Sequence, residues 1–96
     1  MTPIANPLAL GPELTIAHAA TWHEALAGAL AQRGGDLALD LGGVTDFDSS
    51  GVQLLLATRR SLVERGDALE LQRASAAVRD ALNRFGLAEM LPAATA

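Results

Sequence analysis

The chain has 96 residues, half of them apolar, which is enough for one domain with a buried core and too little for two independent folding units. Its net charge is −4, and its seven basic residues are all arginine, so no basic stripe offers itself to nucleic-acid phosphates or to anionic lipid. Cysteine is absent, which excludes disulfides, thiolate metal sites and cysteine nucleophiles and fits a cytoplasmic setting.

Only Trp22, Phe47 and Phe85 are aromatic, so Leu, Ala and Val must fill the interior. Residues 8–17 hold two short apolar stretches around Gly11 and Pro12, an opening hairpin or one bent strand, with Leu14 and Ile16 alternating on one face. Thr21 followed by Glu24 forms a capping-box pattern. After it, Trp22, Ala25, Leu26, Ala29 and Leu30 recur at helical spacing until Gly34 and Gly35. Leu37, Leu39 and Leu41 then alternate with Ala38 and Asp40, which predicts a strand with one buried face and one more exposed.

A second helix is predicted from about Ser49, with Val52, Leu55, Leu56, Leu62 and Val63 on its apolar stripe and Gly66 as a left-handed stop. Leu69 and Leu71 mark another short strand, and Ser75 is placed to cap a third helix with Val78, Leu82 and Phe85 buried. Gly86 ends that helix, and residues 87–91 can add one more turn before Pro92 opens a tail expected to fray. Strands alternating with helices imply right-handed crossovers. The expected fold is α/β: a mixed four- to five-stranded sheet with three to four helices mainly on one face. It forms one domain over residues 1–96, with a core at about 8–91 and short flexible termini. No secretory signal is visible, and no apolar run approaches the roughly 20 residues that cross a bilayer, so no direct membrane insertion is expected.

Catalytic chemistry finds little support. A serine nucleophile needs a base within reach; only His18 and His23 are available, and the serine pair lacks a G-x-S-x-G elbow. The two histidines lack the i, i+4 spacing of a metal pair. Asp46 and Asp48 read as acidic residues suited to the positive end of a helix rather than as a metal or acid–base pair. The glycine pairs 34–35 and 42–43 do not have the spacing of a phosphate loop. No enzyme activity, metal or cofactor is expected. Arg59, Arg60 and Arg65 read as a solvated helix face or, more sharply, as a docking patch.

The informative segment is residues 44–56, VTDFDSSGVQLLL. Asp48 or Ser49 can cap the following helix by accepting from N–H groups that lack partners in its first turn. A phosphate on Ser49 would bring about −1.5 to −2 charge units to a helix end that favours negative charge.

Taken with the strand ending at Leu41, the helix ending RG, the strand ALELQ and the segment ASAAVRDALNRFGL, this turn resembles the STAS domain over residues 14–91. The chain is similar in particular to the stand-alone anti-sigma-factor antagonists of bacteria. That resemblance implies a non-enzymatic regulatory module, docking on a GHKL-type serine kinase that is also an anti-sigma factor, with a phosphatase to reset it. By position the phosphoacceptor is Ser49, with Ser50 the second choice. Asp48 matches the family's aspartate, Gly51 its close-packed glycine and Val52 an apolar contact. The implied partner surface is Asp46, Phe47, Asp48, Ser49, Ser50, Gly51 and Val52. The same family includes subunits of ABC-type phospholipid transporters, chemotaxis adaptors and tails of sulfate transporters. The short N-terminal region and the ending LAEMLPA suit the transporter subunits, which implies the alternative of docking on an ATPase subunit, or on a kinase, without phosphorylation.

Overall fold

The computed structural model describes residues 7–91. In chain order these form β1 (Leu8–Ala9), β2 (Glu13–Leu14), a 3-10 turn (Ile16–His18), α1 (Ala19–Gln32), β3 (Leu37–Asp40), β4 (Asp46–Phe47), α2 (Ser49–Glu64), β5 (Leu69–Gln72), α3 (Ala76–Arg84) and a second 3-10 turn (Ala88–Met90). The α/β class expected from the sequence holds. The five strands divide into a three-stranded sheet ordered β1-β3-β5 and a two-stranded sheet β2-β4. Every pairing is parallel, where one sheet of mixed direction was expected.

The opening segment explains the division. β1 pairs with β3 and β2 with β4, so the two pieces are a bent strand whose halves join different sheets, and not a hairpin. The bend falls at Gly11 and Pro12, where the Pro12 carbonyl accepts from the Thr45 and Asp46 N–H groups at 2.8 and 3.1 Å. Leu14 is fully buried, but Ile16 is 78% exposed, because the chain leaves the strand there and enters the 3-10 turn. The same turn overrides the capping box. It runs directly into α1, with the Ala19 N–H donating to the Ile16 carbonyl, so the helix starts two residues before Thr21 and both Thr21 and Glu24 are exposed on it.

Leu37, Leu39 and Leu41 of the central strand region are sealed in one cluster with Leu26 and Ala29 of α1, Leu54, Leu55 and Leu62 of α2, and Val78 and Leu82 of α3. All three helices therefore supply the face of the sheet to which the three leucines point. Ala38, on the opposite face, is also only 1% exposed, so β3 is more covered than its alternation suggests; it has paired strands on both sides.

Three apolar expectations fail locally. Ala25 is exposed on α1. On α2, Val63 is 61% exposed; it lies about 100° round the helix from the buried Leu62. Leu54 and Thr58 are buried instead, because α2 packs against α1 as well as against the sheet, and the Thr58 hydroxyl donates to the Leu54 carbonyl at 2.7 Å. Phe85 is 50% exposed, since α3 ends at Arg84 and the chain turns away through Gly86 at φ +73°. Leu87 packs on the core in its place. Ser75 caps α3 as expected, accepting from the Val78 N–H at 3.3 Å. The fraying expected of the tail from Pro92 lies outside the described residues.

Candidate functional site

The segment 44–56 forms the junction between β4 and α2. Asp46 and Phe47 complete β4 against Glu13 and Leu14, and the Asp48 N–H donates to the Leu14 carbonyl at 3.3 Å, which ends the pairing. Asp48 is then the N-cap of α2. Its backbone is extended, its carbonyl accepts from the Val52 N–H at 3.2 Å, and its side-chain Oδ1 accepts from the Ser50 N–H at 2.8 Å. Of the two caps that the sequence allowed, Asp48 is the one used.

The second carboxylate oxygen has a partner that local sequence does not reveal. Asp48 Oδ2 accepts from the Ile16 N–H at 3.1 Å, tying the 3-10 turn ahead of α1 to the start of α2. The two residues are 32 positions apart, and no spacing rule connects them.

Ser49 is the first residue of α2 and is exposed; Ser50 behind it is half-buried. Asp46 is exposed, and Phe47 and Asp48 are half-buried. Gly51 and Val52, expected on the partner surface, are buried and serve packing beneath the turn. A Cβ on Gly51 would come within 2.7 Å of the Leu14 carbonyl oxygen and 2.7 Å of Phe47 Cε1. Glycine is what lets the Phe47 ring and the β2 backbone close over the helix, and Val52, 4% exposed, anchors that first turn. The accessible part of the expected surface is therefore Asp46 to Ser50.

Beside it, a groove between the junction and α3 has Asp46, Asp48, Asp80 and Arg84 in its lining. Among the described residues no cluster of His, Cys, Asp and Glu could hold a metal ion, and Asp48 is engaged as a cap. His18 pairs with Glu13 at 3.0 Å. His23 shares a groove with Ser50, but among the described residues no hydrogen bond joins either histidine to either serine. The junction presents a hydroxyl on a capped, rigid helix start, flanked by two carboxylates.

Arg59 and Arg60 lie on α2, and Arg65 directly follows its last residue. Arg65 is a structural clamp: it donates to the carbonyls of Leu30, Arg33 and Gly35 and to Asp67 at 2.7 to 2.9 Å. Arg59 and Arg60 make 3.7 Å surface pairs with Glu89 and Glu64, of a kind that contributes little.

Because Asp48 satisfies two N–H groups on separate elements, Asp48→Ala should lower the unfolding free energy by about 1–2 kcal/mol. Asp48→Asn keeps the cap but has one acceptor oxygen in place of two, and should fall between wild type and alanine. Urea unfolding of the three proteins checks the order. Equal stability of Asn and wild type would mean that the Ile16 bond carries no weight.

A family model described as "Mlab, STAS domain" matches residues 1–92, nearly the whole chain. No curated protein matches it.

Proposed function

Since this chain belongs to the STAS domain family, whose members are protein-interaction modules, we propose that it is a non-enzymatic docking module that binds its partner through the β4–α2 junction under the control of phosphorylation on Ser49. The partner in this reading is a GHKL-type serine kinase and anti-sigma factor in the cytoplasm, and a phosphatase resets the module. No helix among the described residues is long and apolar enough to cross a membrane.

One observation carries the reading: the exposed Ser49 hydroxyl stands at the first position of α2, directly after the Asp48 cap. Its side chain takes no part in the buried cluster, so a phosphate can be added without disturbing the core. The helix end tolerates that charge, while Asp46 and Asp48 beside it raise the local negative charge. Docking weakens and the fold survives.

The test is incubation with ATP and candidate GHKL kinases, followed by phosphosite mass spectrometry. Phosphate on Ser49, abolished in Ser49→Ala, is the expected result. Phosphate elsewhere, or none with any kinase, contradicts it. The STAS family match also supports a second reading, in which the chain is a subunit of an ABC-type phospholipid transporter or a chemotaxis-linked adaptor and the same surface docks, unphosphorylated, on an ATPase or a kinase. Co-purification with an ATPase and a permease, without Ser49 phosphate, is its signature.

A further inference from the structure

α1 and α2 both start at the Ser49 end of the molecule and run side by side, leaving a groove between them. Ile16 and Ser50 stand at its mouth, the Ser49 end, and Ala20, His23, Gln53 and Leu54 line it further along. It continues past Ala57 to Ser61, a length along α2 of about 16 Å at the helical rise, or three turns. Two features set it apart from ordinary surface.

The first is charge. Eighteen of the 96 residues are Asp, Glu or Arg, and α2 itself carries Arg59, Arg60 and Glu64, yet none of the residues lining the groove is among them, and His23 is the one titratable side chain there. Depletion of charge at the centre of an apolar strip is the compositional mark of an interface core. The second is Ile16. A β-branched side chain left 78% exposed is held at the mouth by the hydrogen bond from its own N–H to Asp48, the residue that precedes Ser49. The exposed knob and Ser50, the residue after the phosphoacceptor, are thus tied to one carboxylate.

Building on the reading of the junction as a phospho-controlled docking site, we infer that the partner's contact extends from Ser49 across Ile16 into the α1–α2 groove, and that the occupant is an uncharged apolar helix of the partner protein, about three turns long. An apolar helix laid between two helices buries its stripe without meeting an unpaired charge. Its neutrality also explains how phosphate would act. A charged group at the groove's mouth opposes docking through the desolvation that an apolar contact imposes, with no acidic patch needed on the partner.

The test is site-specific photo-crosslinking in cells from a benzophenone side chain placed at Ala57, in the full chain carrying Ser49, Ser49→Ala or Ser49→Asp, with exposed Glu70 on β5 as the control position. The crosslinked peptide is then sequenced. The inference expects crosslinks from position 57 to one uncharged apolar segment of a different protein. Ala57→Arg should then weaken binding of that purified protein by about tenfold or more while leaving the melting temperature unchanged. Position 57 crosslinking no better than position 70, reaching a charged segment, or reaching a second copy of this chain would each overturn it. Crosslinks that persist equally in the Ala and Asp forms would leave the groove as the docking site and remove phosphate control, so the two readings fail separately.

Discussion

Gly51→Ala should lower the unfolding free energy by about 2–3 kcal/mol, moving the thermal midpoint down by roughly 10–20 °C for a chain of this size. Alanine is the better helix former by about 1 kcal/mol, so by propensity alone the change should stabilise α2. The packing reverses the sign. The new methyl would sit 2.7 Å from the Leu14 carbonyl oxygen, which belongs to a β2 backbone paired with β4 and accepts from the Asp48 N–H. The Phe47 ring, also at 2.7 Å, can swing aside only by giving up its place over the core. Gly28, on α1, provides the internal comparison, because no atom lies within 4 Å of the Cβ it would gain. Gly28→Ala should stabilise by about 0.5–1 kcal/mol. Differential scanning calorimetry of the two variants checks the opposite signs; a neutral or stabilising Gly51→Ala would mean that the junction is loosely packed.

Arg65→Ala should cost about 2–3 kcal/mol, far more than a typical surface arginine. The guanidinium reaches the Leu30, Arg33 and Gly35 carbonyls at the end of α1 and the Asp67 carboxylate just past the end of α2. It thereby locks the C-terminal ends of two parallel helices whose N-terminal ends are locked by Asp48 and Ile16. Its removal takes the donor from several acceptors of a closing turn at once. Arg65→Lys should recover less than half of the loss, since a single ammonium cannot reproduce a planar fork of five donors. Urea unfolding of both variants reads the effect. An alanine variant within about 0.5 kcal/mol of wild type would show that Arg65 is an ordinary solvated charge.

The junction was legible in the sequence because its rules are local. The cap and its helix fall within the few residues from Asp48 to Val52, and Ser75, Gly66 and Gly86 mark their helix boundaries for the same reason; the close packing of Gly51 follows from the family resemblance alone, because the Leu14 carbonyl it approaches is remote in sequence. β3 and β5 were legible from alternation alone. What the sequence hid depends on neighbours that only the fold supplies. The start of α1 is set by the 3-10 turn before it, against the local signal of Thr21 and Glu24. Val63 and Phe85 belong to apolar stripes by spacing, but sit where no neighbouring element covers them. Gly51 and Val52 match the family turn and are expected on a partner surface, yet in three dimensions they are buried beneath the turn. Arg65 looked like its neighbours Arg59 and Arg60 because nothing in a helical stripe distinguishes a clamp from a solvated charge. The link between Asp48 and Ile16 spans 32 positions and leaves no periodic trace.

Ser49 is the proposed control point of docking. Isothermal titration of the purified chain, unmodified and stoichiometrically phosphorylated on Ser49, against the kinase that modifies it tests this most directly. Phosphate should raise the Kd by about tenfold or more, close to 1.4 kcal/mol, with the melting temperature of the chain preserved. Equal affinity of the two forms for the partner would contradict it.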